Sequence, residues 1–265
     1  MSDFLRALLM TTLAGLSTGI GSLLAFFSKR TDKRFLSFSM GFSGGVMIYV
    51  SFMELLPSAV NGLDEIYGHT KSLIYSNLAF FGGIALIALI DRLIPEMHNP
   101  HESKPMCDVD DIILDKNRLM RTSVMTALGI AIHNFPEGLA AFVSSLYQPE
   151  LAVSIVIAIA LHNIPEGIAI SVPFYCATGS RKKAFFLSLA SGFAEPLGGV
   201  IGYLILAPFL GDTLLGLLFA GVAGIMVYIS LDELLPAAKE YGDGHLPIYG
   251  VIAGMIMMAV NIMIF

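Results

Sequence analysis

Charged residues are scarce in this sequence of 265 residues. They make up 14% of the chain, compared with roughly 25% in an average soluble domain. Hydrophobic residues make up 55%, which is more apolar surface than one domain surrounded by water can bury. The scarcity of charge therefore excludes an ordinary soluble protein and predicts an integral membrane protein.

Three further absences limit the kind of function. Two cysteines are too few for a disulfide framework. No segment has the form GxxxxGK followed by Ser or Thr, which argues against direct use of ATP through a P-loop. No HExxH sequence is present, which argues against a zinc-dependent intramembrane enzyme. We therefore expect no enzymatic activity, a lipid bilayer as the surroundings and no nucleic-acid partner.

Long apolar runs occupy nearly the whole chain instead. Eight of them are about 20 residues long, which is enough for a helix to cross about 30 Å of hydrocarbon. The predicted fold is all-α, with eight transmembrane helices in one domain covering residues 1–265. The stretches are approximately residues 5–27, 35–60, 73–94, 120–145, 151–176, 184–207, 214–237 and 248–265.

The positively charged residues indicate the orientation of these helices. Thirteen of the 15 Lys and Arg residues lie at or between stretches 1 and 2, 3 and 4, 5 and 6, or 7 and 8. Only Arg6 and Lys71 lie on the other side. Because cytoplasmic loops are enriched in Lys and Arg, we expect a protein of the inner cell membrane with both termini outside the cytoplasm.

Two segments of the sequence are repeated. Residues 44–59 and 223–238 share nine of sixteen positions at an offset of 179, and residues 15–25 resemble residues 192–202 at an offset of 177. Each copy lies five stretches from its mate, an odd number, so the copies enter the membrane from opposite sides, as in inverted-repeat transporters. The predicted arrangement is 3+2+3 helices. It consists of a first repeat at about residues 1–95, a cytoplasmic loop at 96–119, a central pair at 120–176 and a second repeat at 182–265.

Two copies of one polar motif interrupt the apolar stretches. Stretch 4 contains IHNFPEG at residues 132–138, and stretch 5 contains LHNIPEG at residues 161–167. On a helix that turns by about 100° per residue, the His and the Glu lie about 40° apart, with the Asn on the same side. The proline lacks an N–H, so we expect a freed carbonyl and a local kink. The ligand-type residues are His133, Asn134 and Glu137 in one copy and His162, Asn163 and Glu166 in the other.

A third glutamate, Glu195, lies in the middle of stretch 6. A charged residue at the centre of a membrane helix costs about 2.5–3.5 kcal/mol, and the core of no stretch contains a Lys or Arg to neutralise it. A single histidine in such a stretch is more commonly a hydrogen-bond partner between helices than a ligand. The doubled motif instead favours divalent cations, and imidazole with carboxylate suits zinc and its first-row neighbours. Glu137 and Glu166 could then bridge two ions while Glu195 completes the shell.

Several other residues leave alternatives open. Glu54 and Glu233 occupy equivalent positions in the repeats, Glu54 near the outer face and Glu233 near the cytoplasmic face. They are either vestibule carboxylates at the entrance and exit or solvated residues at helix ends. Met47 and Met226 also occupy equivalent positions in the repeats. They are either thioether ligands or packing residues. The segment 96–121 is either a weak metal site or simply a polar loop. It contains His98, His101, Cys107, Asp108, Asp110 and Asp111.

The combined pattern resembles the ZIP (Zrt/Irt-like) family of divalent metal transporters. The likeness covers essentially the whole chain: eight stretches, a longer polar loop between stretches 3 and 4, the paired HNxPEG motifs and the glutamate of stretch 6. The resemblance implies a 3+2+3 helix arrangement, a binuclear metal site and inward movement of zinc, iron, manganese, cobalt or cadmium.

The resemblance also implies a set of ligands for two metal positions. No resident cofactor is expected besides the transported ions, and a homodimer is left open. The first position would use His133, Glu137, His162 and Glu166, with Met47 as an extra ligand. The second would use Asn134, Glu137, Asn163, Glu166 and Glu195.

The sequence thus predicts a secondary transporter that imports a divalent cation by alternating access. Two other functions remain open for the same residues. A proton or cation channel would carry an acid-activated current that persists after metal is chelated. An intramembrane metalloenzyme would release a metal-dependent product from a lipid or peptide.

Overall fold

The structure is a computed structural model and describes residues 2–27, 33–93, 116–242 and 244–264. Nearly all of these residues are helical, and no β-strand occurs among them, which confirms the all-α prediction. The helices are α1 Asp3–Phe27, α2 Lys33–Val50, α3 Leu56–Tyr67, α4 His69–Leu93, α5 Lys116–Tyr147, α6 Pro149–Thr178, α7 Arg181–Gly192, α8 Ala194–Leu206, α9 Asp212–Ile229, α10 Leu235–Tyr241 and α11 Leu246–Ile264.

The helix ends follow from local sequence signals. Gly68 separates α3 from α4 with φ 78°, and Gly179 ends α6 with φ 66°; glycine adopts this left-handed backbone without a steric penalty. The Ser180 side chain accepts a hydrogen bond from the backbone N–H of Lys183 and caps α7. Pro149 opens α6, where its missing N–H has no partner to lose. The polar and glycine residues between apolar stretches therefore set the helix lengths.

Seven helical stretches of the described chain are long and apolar enough to cross a membrane. Helix α5, which carries the first HNxPEG motif, is 32 residues long but is not among the seven. Part of the reason is that the polar residues of the motif lower its hydropathy. The seven are Asp3–Leu24, Arg34–Tyr67, His69–Arg92, Pro149–Thr178, Arg181–Phe209, Asp212–Tyr241 and Leu246–Ile264.

Two of these stretches contain one wider turn each. Residues Ser51–Leu55 and Ser230–Leu234 form π-helical turns at equivalent positions of the two repeated segments. A proline follows shortly after each turn and cannot donate a backbone hydrogen bond, which favours a local change of winding. The first serine of each turn donates to the carbonyl of Met47 or Met226, both at 2.7 Å.

Helix α1 packs closely against α6 through two glycines. A Cβ atom on Gly21 would overlap the carbonyl of Ile164, and one on Gly167 would overlap the carbonyl of Thr18. Only glycine allows two helix backbones to approach so closely. Gly167 ends the second motif, so this crossing fixes that motif against α1.

Helix α5 crosses α8 in the same way. A Cβ atom on Gly138 would overlap the carbonyl of Glu195, and one on Gly198 would overlap the carbonyl of Phe135. The two crossings correspond position by position: α5 matches α6 in the register of the two motifs, and α1 matches α8 in the register of the repeated segments 15–25 and 192–202. The glycines of both motifs thus perform the same packing role.

The predicted sixth stretch, residues 184–207, is not one continuous helix. It is interrupted at Phe193, where α7 ends and α8 begins. Pro196 explains the interruption, because it has no N–H to donate to the carbonyl of Gly192. The break places Glu195 in the first turn of α8.

Candidate metal site

The two motifs lie in the middle of α5 and α6, which pack against each other. Both helices continue through the motif prolines, Pro136 and Pro165. Seven of the predicted ligand side chains are at most 1% exposed, so they face the interior of the bundle. They are His133, Asn134, Glu137, His162, Asn163, Glu166 and Glu195.

The histidine of each motif pairs with the glutamate of the other. His133 Nε2 lies 3.3 Å from Glu166 Oε1, and His162 Nε2 lies 3.1 Å from Glu137 Oε2. Both distances allow an imidazole N–H to donate to a carboxylate oxygen. Each buried glutamate of a motif therefore has a partner in the neighbouring motif helix, which the pattern within one helix could not indicate.

The asparagines tie the motifs to the flanking helices. Asn163 Nδ2 donates to the carbonyl of Ala14 at 3.1 Å and to Glu195 Oε1. Asn134 Nδ2 donates to the carbonyl of Ser191 at 3.4 Å. Glu195 thus joins the motif residues through an amide. This contact brings the third glutamate to the motif residues.

Each of the seven side chains keeps one buried atom without a hydrogen-bond partner in the described part of the chain. Buried polar groups are normally paired, and an unpaired one costs about 1–3 kcal/mol. Seven such atoms in one place require an explanation. They are His133 Nδ1, His162 Nδ1, Asn134 Oδ1, Asn163 Oδ1, Glu137 Oε1, Glu166 Oε2 and Glu195 Oε2.

Imidazole nitrogens, carboxylate oxygens and amide oxygens are together a donor set suited to zinc and related first-row ions. In the arrangement observed, however, no three His, Cys, Asp or Glu side chains of the described residues are grouped so that they could hold a metal ion. The crossed His–Glu pairs occupy two imidazole nitrogens and two carboxylate oxygens. Binding of an ion by these residues would therefore have to replace the crossed pairs.

The two equivalent methionines are both in the apolar core. Met47, the predicted extra ligand, is fully buried, and Met226 is 2% exposed. Met226 lines a small pocket that reaches Glu137, together with Leu55 and Val222. The structure therefore places the mate of the predicted methionine, Met226, beside a motif carboxylate.

The two vestibule candidates differ in their surroundings. Glu54 is half-buried, and its Oε2 accepts a hydrogen bond from Ser154 Oγ at 3.2 Å. Asn261 Nδ2 donates to the same hydroxyl at 2.9 Å. Glu233 is 9% exposed and lies close enough to His133 to interact with it electrostatically. Both carboxylates are thus at least partly buried.

Sequence reasoning did not find Ser154 or Asn261. A signal was present for the second, because Asn261 is the only amide in an otherwise apolar final stretch. The other candidate metal ligands, at residues 98–111, lie outside the described residues.

Comparison with known proteins gives consistent matches over the entire length. A family model described as "ZIP Zinc transporter" matches residues 3–91 and 92–262. A protein named Zinc transporter ZupT from Streptococcus mutans serotype c is 58% identical over 98% of this chain and 97% of its own length. Proteins of the same name from Clostridium perfringens and Oceanobacillus iheyensis are 52% and 53% identical over 100% of this chain, and over 98% and 99% of their own lengths.

Proposed function

The chain belongs to the ZIP zinc transporter family, and from this premise we propose that it is a secondary transporter that imports zinc into the cytoplasm. The resemblance seen in the paired HNxPEG motifs is thereby confirmed, and the protein is a multi-pass membrane protein of a family of transporters, not enzymes. We extend the proposal to iron, manganese, cobalt and cadmium as further cargo, because imidazole and carboxylate ligands accept all of these ions.

One observation carries the proposal: the seven buried, unpaired donor atoms gathered around the crossed His–Glu pairs. A site built only to hold helices together would leave few such atoms, because each reduces stability. A cation that enters between α5 and α6 would satisfy the carboxylate and amide oxygens together. The unpaired atoms are therefore best explained as ligands of the transported ion.

We assign the residues to two metal positions that share Glu137 and Glu166. The first uses these two carboxylates with His133 and His162, and the second uses them with Asn134, Asn163 and Glu195. Met47 is retained as an additional ligand of the first position. The three negative charges of these carboxylates then offset three of the four positive charges of the two ions, at a depth where no bulk water solvates them.

We further propose that eight helices cross the membrane as a 3+2+3 inverted repeat. In this arrangement α5 is the eighth span, alongside the seven apolar ones. Two kinds of feature support the repeat, because each recurs in the register of the repeated sequence segments: the π-helical turns and the glycine crossings of the motif helices. Orientation by positive charge then places both termini outside the cytoplasm in the cell membrane. A homodimer is also part of the proposal.

In the transport cycle that we propose, zinc displaces the crossed pairs on entry, and the pairs form again after release. The pairs provide a metal-free state in which no carboxylate of the site is left without a hydrogen bond. Re-formation of His133–Glu166 and His162–Glu137 would favour departure of the ion. Alternating access then requires only that the two repeats move against each other around this fixed centre.

The test is zinc uptake by the purified protein in liposomes that contain a zinc-sensitive dye. Glu137→Ala and Glu166→Ala should each abolish uptake, because each removes a ligand of both positions. Glu150→Ala is the matched control, since Glu150 is exposed at the start of α6 and should not affect uptake. Equal uptake by all four proteins would refute the proposal. An acid-activated current that persists with chelator present, without zinc uptake, would instead identify a channel.

A further inference from the structure

The hydroxyl group of Thr18 is fully buried and has no hydrogen-bond partner within the described residues. A threonine in a helix commonly donates to the carbonyl one turn earlier. Two others in the same helix do so: Thr11 donates to Ala7 at 2.9 Å and Thr12 to Leu8 at 2.6 Å. Thr18 does not make this local bond, although it is buried at mid-helix, where an unpaired hydroxyl is unfavourable.

Thr18 is the counterpart of Glu195 in the alignment of the repeated segments 15–25 and 192–202. The structure supports this correspondence at the backbone. The carbonyl of Thr18 packs on Gly167 of the second motif, and the carbonyl of Glu195 packs on Gly138 of the first. The two residues therefore hold the same position relative to α6 and α5, respectively.

The asparagines extend the correspondence to the side chains. Asn163 donates to the carbonyl of Ala14 and to the Glu195 carboxylate, and Asn134 donates to the carbonyl of Ser191. Ala14 and Ser191 are separated along the chain by the same offset as Thr18 and Glu195. By the same relation, we expect Thr18 to face Asn134 as Glu195 faces Asn163. The Thr18 hydroxyl and the Asn134 side-chain oxygen have no hydrogen-bond partner among the described residues.

We propose that Thr18 is a further cation-binding residue, which together with the Asn134 side-chain oxygen forms an uncharged oxygen pocket opposite Glu195. Both oxygens are buried and unpaired within the described chain, as are those of the motif carboxylates. The pocket takes a divalent cation, directly or through one of its water molecules. This inference rests on the proposed function, because the ion in question is the transported one.

The replacement of a carboxylate by a hydroxyl has a consequence for transport. A fourth glutamate at position 18 would balance the charge of two divalent ions completely and hold them more tightly. With threonine at this position, the site contains three carboxylates, and the half formed by Thr18 and Asn134 is neutral. The neutral half binds the cation weakly, which allows the ion to leave.

The direct test compares Thr18→Val, which keeps the shape and removes the hydroxyl, with Thr18→Ser, which keeps the hydroxyl. Zinc uptake in liposomes should fall by about tenfold in the valine variant, as expected for loss of a hydrogen-bonding group to a charged partner, and stay near wild type in the serine variant. Thermal stability without metal should be equal or higher with valine, because the unpaired hydroxyl is gone. Uptake by the valine variant at the wild-type rate would overturn the proposal.

An exchange variant tests the correspondence itself. Glu195→Thr should lose most zinc binding, and Thr18→Glu combined with Glu195→Thr should recover it, because the carboxylate returns to the equivalent position on the other side. A folded double variant that binds no better than Glu195→Thr would contradict the proposal; if the double variant does not fold, the Val and Ser comparison decides. Absence of uptake by the wild-type protein would instead refute the proposed function.

Discussion

His133 Nε2 lies 3.3 Å from Glu166 Oε1, and both side chains are 1% exposed. The relation is repeated between His162 and Glu137, at 3.1 Å. Each motif therefore supplies the partner of the other, and neither helix could bury its motif alone. The doubling of HNxPEG in the sequence therefore has a structural role in addition to the proposed binding of metal.

The crossed pairs should contribute to the stability of the metal-free protein. Removing one member leaves the other buried without its partner, so His133→Ala and Glu166→Ala should each destabilise the fold by several kcal/mol, and the double variant by less than the sum. We expect a coupling free energy of about 2 kcal/mol from a double-mutant cycle of chemical unfolding in detergent with chelator present. Additive effects would mean that the pair does not interact in solution.

The glycines that end the motifs should tolerate no side chain. Gly167→Ala places a methyl group on the carbonyl of Thr18, and we expect a loss of at least about 2 kcal/mol in the free energy of unfolding. Gly82→Ala is the control, because a Cβ atom there meets nothing within 4 Å and alanine favours a helix by about 1 kcal/mol over glycine. The melting temperatures of the two variants should differ in opposite directions from wild type. A melting temperature of Gly167→Ala at or above wild type would show that α1 and α6 do not cross as described.

The Asn261 amide should matter for zinc capture more than for the maximal rate. It donates to Ser154, and Ser154 donates to Glu54, so Asn261→Leu removes the group that orients this hydroxyl toward the half-buried carboxylate. Because Glu54 is outside the HNxPEG site, we expect the zinc concentration at half-maximal uptake to rise several-fold, with the maximal rate within about twofold. Asn77→Leu is a suitable control, since Asn77 donates to a carbonyl of its own helix at an exposed position. A fall in maximal rate with no change in the half-saturating concentration would contradict a role in zinc capture for this chain of hydrogen bonds.

The all-α membrane character could be predicted from the sequence, because long apolar runs identify membrane helices, and seven such stretches are present in the described chain. Seven of the eight predicted ligand side chains are also buried together, since one helix face holds His, Asn and Glu of each motif. The π-helical turns and the break at Phe193 were not predicted. Each occurs near a proline, which removes one backbone hydrogen bond of the helix. Whether the helix then widens or breaks depends on how it packs against neighbouring helices.

The crossed pairing of each histidine with the glutamate of the other motif could not be predicted from the sequence either. Periodicity shows which residues share a face, but not which residue of the facing helix each one meets. The burial of charge required partners for Glu137, Glu166 and Glu195, and metal ions were the predicted ones. In the structure two histidines and Asn163 donate hydrogen bonds to these carboxylates; metal binding there stays a prediction.

The identity of the atoms that bind zinc decides whether the HNxPEG residues form the transport site. X-ray absorption at the zinc edge, on the purified protein loaded with zinc, measures this. We predict nitrogen and oxygen ligands at about 2.0–2.1 Å with the outer-shell scattering of imidazole, and loss of that scattering in the His133→Gln, His162→Gln double variant. Imidazole scattering that persists unchanged in the double variant would place zinc on other histidines and contradict the central claim.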